Sequence, residues 1–424
     1  MTSLHSVGAP GARAGLAPPA ADASVDRPHG ARVAAGLAAF AAWRARQGPA
    51  SQDQYDWWAT RYGLWAKARF YRHGWPVAPL VAPLIGLDMA WPSARRWVTP
   101  PRRFAIADAH YVLGDAARHR ATGAAAARAA AIAGGEALLD TALPGFAGPC
   151  WGYPFDWQTR RGLVRRGTPL ITTTPYVFDA MLELHALTAT ARYRETALAI
   201  AAFVASDIRD TAIGGGLAAS YTPFDRSAVV NASAYRAACL ARAGALASNG
   251  EYLRLARANA QFVAEQQRGD GAWSYSANDP QDRFVDHIHT CFVLKGLYRT
   301  ARALADDRFL AVVAQGFAYY RRALFTADGA PRPFAETPWP RLARLELYDC
   351  AEALNLALLL RDALPTAPLA HAMAAHLLAL QLPNGAFVTR ILRGGVRHRV
   401  PYHRWAQAQA YCALARYAEW QAVH

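Results

Sequence analysis

The sequence predicts an all-α protein closed into a toroid, an inner ring of helices wrapped by an outer ring. Three observations carry that prediction. Glycine loops at Gly152, Gly215, Gly271, Gly329 and Gly385 recur with spacings that cluster near roughly 57 residues, room for two helices and two turns. Each loop is followed by a helix start, near Pro175, Asn231, Asp286, Tyr348 and Tyr402. The helices that open there are apolar around most of their circumference. The partners that follow, YRETALAIAAFVASDI and YLRLARANAQFVAEQQ among them, repeat apolar residues at three- and four-residue spacing and carry charge on the other side. A helix apolar all round belongs inside a ring and a one-striped helix outside it.

Taken in order, residues 1 to 30 are rich in Ala, Gly and Pro and lack a basic start followed by an apolar core, so they read as a disordered tail. Residues 31 to 424 read as a single toroid domain. Within it, residues 31 to 47 form a one-striped helix and residues 55 to 72 a second helix crowded with aromatics. The run from His73 to Pro92 holds four prolines, which predicts a wrapping segment that is not helical throughout. Residues 104 to 121 and 124 to 142 read as a helical hairpin. At Thr174-Pro175 the threonine is expected to cap a helix and the proline to take its first position. Five hairpins are clear and the N-terminal region is expected to supply a sixth.

Hydrophobic residues make up 53% of the 424 and charged residues 18%, enough to bury a large core. Lys+Arg of 46 against Asp+Glu of 31 gives a net charge of +15, which admits nucleic acid, a membrane surface or an acidic polymer as partner. Arginine-rich solvated faces produce the same excess, so charge alone names no partner. No dense basic run with interleaved aromatics and no zinc-finger or RNA-binding signature is present, which argues against nucleic acid. No apolar run of about 18 residues predicts a membrane span. The five cysteines are an odd number, and four lie in apolar helical runs, as buried thiols do in a reducing compartment. A cytoplasmic location is the expectation.

In a toroid the inner-helix N-termini gather at one end, so residues far apart in sequence border one mouth, and free N–H groups there suit anionic groups. The stretch WGYPFDWQTRRG offers Trp151, Tyr153 and Trp157 as a sugar-stacking platform around Asp156, with a packed loop as the plainer reading. SYTPFDRSAVVNASAYRAA adds Tyr221, Asp225 and Asn231, the last two also explicable as helix caps. In GDGAWSYSANDPQDRFVDHIHTCFVLKGL, Asp286 and His289 share a helical face, with His287 between them. LELYDCAEALNLALL brings Tyr348, Asp349 and Glu352, the two acids again on one face. PYHRWAQAQAY adds Arg404, whose fork suits a carboxylate, and Trp405. Carboxylates on opposite sides of the mouth can serve as acid and base, and Asp286 with Asp349 is the pair expected, His289 orienting and Arg404 binding an anion.

The motifs WGYPFDWQ, SYTPFD followed by NASA, DHIHTCFVLKGL and PYHRWAQAQAY, across residues 145 to 418, resemble a family of α/α-toroid proteins that accompany bacterial exopolysaccharide and capsule biosynthesis enzymes. More distantly the chain is similar to the helical domain of glucuronyl C5-epimerases and to unsaturated-glucuronyl hydrolases. The resemblance implies an acidic glycan substrate and polysaccharide-synthesis enzymes as partners, and it transfers no catalytic residue. DHIHTCFVLKGL also looks like the zinc-histidine helix of protein prenyltransferase β subunits. Their second zinc element has no counterpart in NASAYRAAC, and the aspartate-rich motif of class II terpene cyclases is absent, so neither metal nor cofactor is expected. The expected function is that of a carbohydrate-active enzyme that cleaves or modifies an acidic oligo- or polysaccharide by hydrolysis, elimination or epimerisation. A non-catalytic glycan-binding partner of a polysaccharide assembly complex and an isoprenoid enzyme are the alternatives.

Overall fold

The computed structural model describes residues 30 to 423, so all but the last residue of the expected tail lies outside the described residues. Three helices come first: α1 (Gly30–Gln47), α2 (Arg61–His73) and α3 (Ala78–Ala90). Five hairpins follow: α4 (Ala105–Thr122) with α5 (Ala125–Leu139), α6 (Thr174–Thr188) with α7 (Ala191–Ser206), α8 (Val230–Ala247) with α9 (Gly250–Glu265), α10 (His287–Leu304) with α11 (Asp307–Ala323), and α12 (Leu347–Leu360) with α13 (Ala367–Ala379). The last helix, α14 (Ala408–Val423), pairs with α1 from the opposite end of the described chain, which makes the sixth hairpin. The even-numbered helices from α4 to α14 form the inner ring, and α1 with the odd-numbered helices from α5 form the outer one.

Burial follows that division. Helix α8 is buried from Val230 to Ala241 without a break, whereas α9 buries only Leu255, Ala256, Asn259, Ala260, Phe262 and Val263, a single stripe. Neighbouring inner helices approach closely where glycine stands in the contact. A Cβ on Gly296 of α10 would lie 2.6 Å from the Ala234 carbonyl oxygen of α8, and one on Gly114 of α4 would lie 2.8 Å from the Tyr411 ring of α14. The ring closes on Phe40 of α1, which stacks on Phe387 and Tyr411 at centroid distances of 5.4 and 5.0 Å. Gln381 adds a hydrogen bond from its Nε2 to the Gly36 carbonyl at 2.8 Å.

Short antiparallel strands edge the cavity end of the ring. They are β1 (Trp157–Thr159) with β2 (Gly162–Val164), β3 (Asp210–Ile213) with β4 (Gly216–Ala219), β5 (Val285–Asp286) with β6 (Phe334–Glu336), and the set β7 (Ala343–Glu346), β8 (Arg390–Leu392), β9 (Arg397–His398). All five cysteines are free and buried. Among the described residues no helix is long and apolar enough to cross a membrane.

The proline-rich run is not helical throughout, as expected, since Gly74 and a 3-10 turn (Trp75–Val77) precede α3 and Trp91 ends it, yet most of it is α3. Pro79 falls in the first turn of α3, where its missing N–H has no intrahelical partner, and Pro83 forfeits only one bond. Two local expectations are corrected. The aromatic helix starts later than residue 55, because a 3-10 turn (Asp56–Ala59) precedes it and Thr60 caps α2 by accepting from Gly63 N at 2.9 Å. Thr174 does not cap α6. Its Oγ1 accepts from Trp151 N at 3.1 Å and ties the preceding loop to the helix start.

Because Phe40 is the wedge between the two ends of the described chain, Phe40→Ala is expected to lower unfolding free energy by about 3 to 5 kcal/mol, read from urea denaturation. A loss below about 1 kcal/mol would mean that α1 is not integral to the closure.

Candidate active site

Residues at the starts of all six inner helices border one cavity of about 840 Å³: Ile106 of α4, Thr172 before α6, Asn231 of α8, His289 of α10, Asp349 of α12 and Arg404 before α14. The remaining wall comes from the connecting loops and from α2, which the inner ring alone would leave open.

At the start of α10, Asp286 is the N-cap, and both its oxygens are committed to one residue. Oδ1 accepts from His289 N at 2.9 Å and Oδ2 lies 2.6 Å from His289 Nδ1. The carboxylate thus fixes the backbone and the ring of His289 together. Tyr275, Phe284 and Phe292 surround the imidazole with centroids at 4.6, 5.9 and 5.7 Å. Nε2 makes no hydrogen bond among the described residues, and His289 borders the cavity. A carboxylate-held imidazole with a free Nε2 can accept or deliver a proton there.

One inner helix further on, Asp349 sits in the first turn of α12, buried and bordering the same cavity. Burial, with the negative charges of Glu346 and Asp286 nearby, pushes its carboxyl well above the usual carboxylate range, and the opposing pull of Arg390 is weaker. Its Oδ2 has no hydrogen-bond partner. Buried polar atoms are normally paired. Here the unpaired ones include Gln54 Oε1, Asn231 Oδ1, Glu346 Oε2 and Asp349 Oδ2, all on residues that border the cavity.

Aromatic side chains form much of the remaining wall. Tyr153 stacks on Phe155 at 5.4 Å and meets Trp157 edge-on at 5.8 Å, Trp157 packs on Tyr221 at 5.7 Å, and Tyr348 meets Trp405 edge-on at 5.0 Å. Tyr153, Trp157, Tyr221, Asp225, Asn231, Tyr348, Arg404 and Trp405 therefore reach the cavity together with Asp286, His289 and Asp349.

The other expected residues do not. Trp151 is core, its Nε1 donating to the Leu138 carbonyl at 3.0 Å. Asp156 braces the β1–β2 hairpin by accepting from Arg166 N at 2.8 Å. His287 is buried between Tyr320, whose hydroxyl lies 2.6 Å from Nε2, and the Arg332 carbonyl, and burial pushes its pKa down to about 4. Glu352 lies off the cavity, where it pairs with Lys295 of α10. Other residues that do reach the cavity have different duties from those expected, first among them Asp286, whose two oxygens hold His289 where half of a proton-transfer pair was expected. Arg404 gives its fork to Asp53, Nε to Oδ2 at 2.8 Å and a terminal nitrogen to Oδ1 at 2.6 Å, so the anticipated grip on a substrate anion is already taken. Asp225 spends its oxygens on Tyr221, Thr222 and Ser227 as a loop brace. Asn231 is no cap either, since Val229 precedes α8 as its N-cap and Asn231 lies inside the first turn.

The sequence did not single out Gln54, Tyr55, Lys67 and Tyr71 from the N-terminal segment, nor Phe284, Trp339 and Arg390, all of which border the cavity. The aromatic crowding around α2 was the available signal. Nothing local connected it to the mouth of the ring. Among the described residues no three His, Cys, Asp or Glu side chains gather as a metal-binding set.

No protein-family model and no curated protein sequence matches the chain. Solved structures do. The chain is similar to an unsaturated glucuronyl hydrolase from a Bacillus species (TM-score 0.57, 13% identity, 92% of this chain and 97% of that one). It is similar also to a GH76 α-mannanase of Bacteroides thetaiotaomicron (TM-score 0.57, 12% identity, 75% and 87%) and to a cellobiose 2-epimerase from Bacillus thermoamylovorans (TM-score 0.56, 8% identity, 75% and 88%). These likenesses establish the α/α-toroid fold.

The raised carboxyl of Asp349 has a measurable consequence for stability. The folded protein holds this proton more tightly than the unfolded chain, so the contribution is full below about pH 4 and is lost as pH rises through the folded value. Asp349→Asn has no proton to lose. Its urea midpoint is expected to match the wild type near pH 4 and to exceed it at pH 8. An equal or lower midpoint at pH 8 would show that Asp349 is ionised and favourably held.

Proposed function

We propose that this protein is a carbohydrate-active enzyme that acts on an acidic oligo- or polysaccharide by general acid–base chemistry. The observation that carries the proposal is the pairing, on adjacent inner helices, of a carboxyl held in its protonated form with a carboxylate-oriented imidazole. Burial and the neighbouring acids push the Asp349 carboxyl toward the role of an acid, and the Asp286 carboxylate orients the His289 ring for that of a base. Asp349 is the acid and His289 the base, with Asp286 positioning the imidazole and stabilising the imidazolium that forms.

The aromatic wall supports a saccharide, since Tyr153, Trp157, Tyr221 and Trp405 offer flat faces to sugar C–H surfaces while Asn231 and Gln54 hold unpaired acceptors for hydroxyls. An isoprenoid would call for an apolar wall, and this one carries Asp349, His289, Lys67 and Arg390. Solved structures that share the fold include a glucuronyl hydrolase, a mannanase and a cellobiose 2-epimerase, all named for action on sugars. The resemblance of the loop motifs supports a substrate of the exopolysaccharide and capsule class.

The test is incubation with a panel of uronate-containing oligosaccharides in deuterated water, read by mass spectrometry. Water addition across a cleaved bond marks hydrolysis, an unsaturated product elimination, and deuterium gain without cleavage epimerisation. Asp349→Asn and His289→Gln are each expected to lower the rate by about 10²- to 10⁴-fold while glycan affinity changes only a few-fold. Full rates in both variants would remove this assignment, and binding without turnover of any panel member would return the protein to a glycan-binding role.

A further inference from the structure

Six cationic side chains border the cavity, and five of them already have an acidic partner. Arg404 is paired with Asp53, Arg390 with Glu346 at 2.6 Å, Arg160 with Asp282 at 3.1 Å, Arg161 with Asp279 at 3.7 Å and Arg165 with Asp156 at 3.2 Å. Lys67 is the exception. Among the described residues no carboxylate lies within ion-pair distance of its Nζ.

The side chain rises from α2 through an aromatic collar. Its ammonium stands 5.0 Å from the Tyr55 ring centroid, 5.6 Å from Trp58 and 5.5 Å from Tyr71. Ring faces stabilise a cation without neutralising it, and they leave it aimed and ready for an anion. Half-buried lysine without a counter-ion is costly, and burial together with the nearby Arg160 guanidinium lowers its pKa to about 8. A carboxylate arriving from solution removes that cost, so binding energy is concentrated at this point of the wall.

We infer that Lys67 receives the carboxylate of the substrate, so that α2, which belongs to neither ring, sets the preference for acidic over neutral glycans. The inference rests on the glycan reading above and deepens it. Arg404, the sequence's candidate for this duty, has no free fork, and Asp349 and the Asp286–His289 pair border the same cavity as Lys67. An acidic sugar ring held by its carboxylate at Lys67 is thereby oriented, and the aromatic wall need only fix its plane.

The experiment measures binding of a glucuronosyl-glucose disaccharide and of its carboxyl-reduced neutral counterpart by titration calorimetry. The wild type is expected to prefer the acidic form about tenfold or more, in line with a charge-assisted hydrogen bond. Lys67→Met is expected to erase that preference, Lys67→Arg to keep part of it, and Arg165→Gln to keep all of it. Thermal unfolding of Lys67→Met is expected at or above the wild-type midpoint, because an unpaired charge has been removed from an aromatic site, and this separates lost recognition from lost folding. A preference that survives Lys67→Met, or one that Arg165→Gln removes equally, would overturn the inference. Equal wild-type affinity for both disaccharides would overturn it while leaving the glycan reading standing. Absence of binding to either would overturn both.

Discussion

The cavity depends on one buried ion pair, Asp53 with Arg404. Both side chains are withdrawn from solvent, at 0% and 3% exposure, and their bidentate geometry satisfies each charge where an unpaired one would cost several kcal/mol, roughly 3 to 5. The pair joins a loop between α1 and α2 to the start of the last inner helix. From there the contacts spread. Arg95 donates to the Asp53 carbonyl at 2.6 Å and pairs with Asp88, Arg390 reaches Asp88 at 3.4 Å, and the same Arg390 holds Glu346 at the threshold of α12. The guanidinium of Arg404 lies 4.6 Å from the Tyr153 ring centroid and 5.1 Å from Trp405, so the aromatic wall is fastened to the same anchor.

This arrangement separates the charges of the cavity by duty. Pairs such as Arg404 with Asp53 and Arg390 with Glu346 are internally neutral and serve as scaffold. Asp349, beside Glu346 and Asp286, keeps its proton because a further negative charge there would be repelled and poorly solvated. His289 is held by the Asp286 carboxylate, and Lys67 is left with aromatic faces alone. The groups free to act on a ligand are therefore few, and each is held by a different kind of neighbour. Off the cavity, the pairing of Lys295 with Glu352 and of Asp179 with Arg242 and Arg299 satisfies ionic groups between inner helices without joining the site.

A toroid assembles such a site cheaply in backbone terms. Each inner helix contributes its first turn, where N–H groups are free and a capping residue such as Asp286 faces the mouth, and each connecting loop contributes a wall. The glycine turns permit this. Gly271, Gly329 and Gly385 adopt φ of 95°, 78° and 98°, which lets the chain leave an outer helix, make a tight bridge and approach the next inner start. The loops carry Trp157, Tyr221 and Phe284 into the cavity while the rings behind them stay regular.

What the sequence alone determined is what local rules govern. Period and polarity identified the helical hairpins and separated inner from outer helices, because 3.6-residue spacing and circumferential hydrophobicity are written within each segment. The Asp286–His289 pair was legible for the same reason, since residues three apart on a helix must meet. What only the tertiary structure decided is which side chains are spent. Arg404 looked free until its partner appeared 351 residues upstream, Glu352 looked catalytic until it met Lys295 on the neighbouring helix, and Trp151 shared a motif with Tyr153 yet turned into the core. Lys67 carried no signal in the sequence, and only the fold brings an aromatic collar to it and, among the described residues, no acid. Ion pairing and burial are properties of neighbours distant in the chain, and no local spacing encodes them.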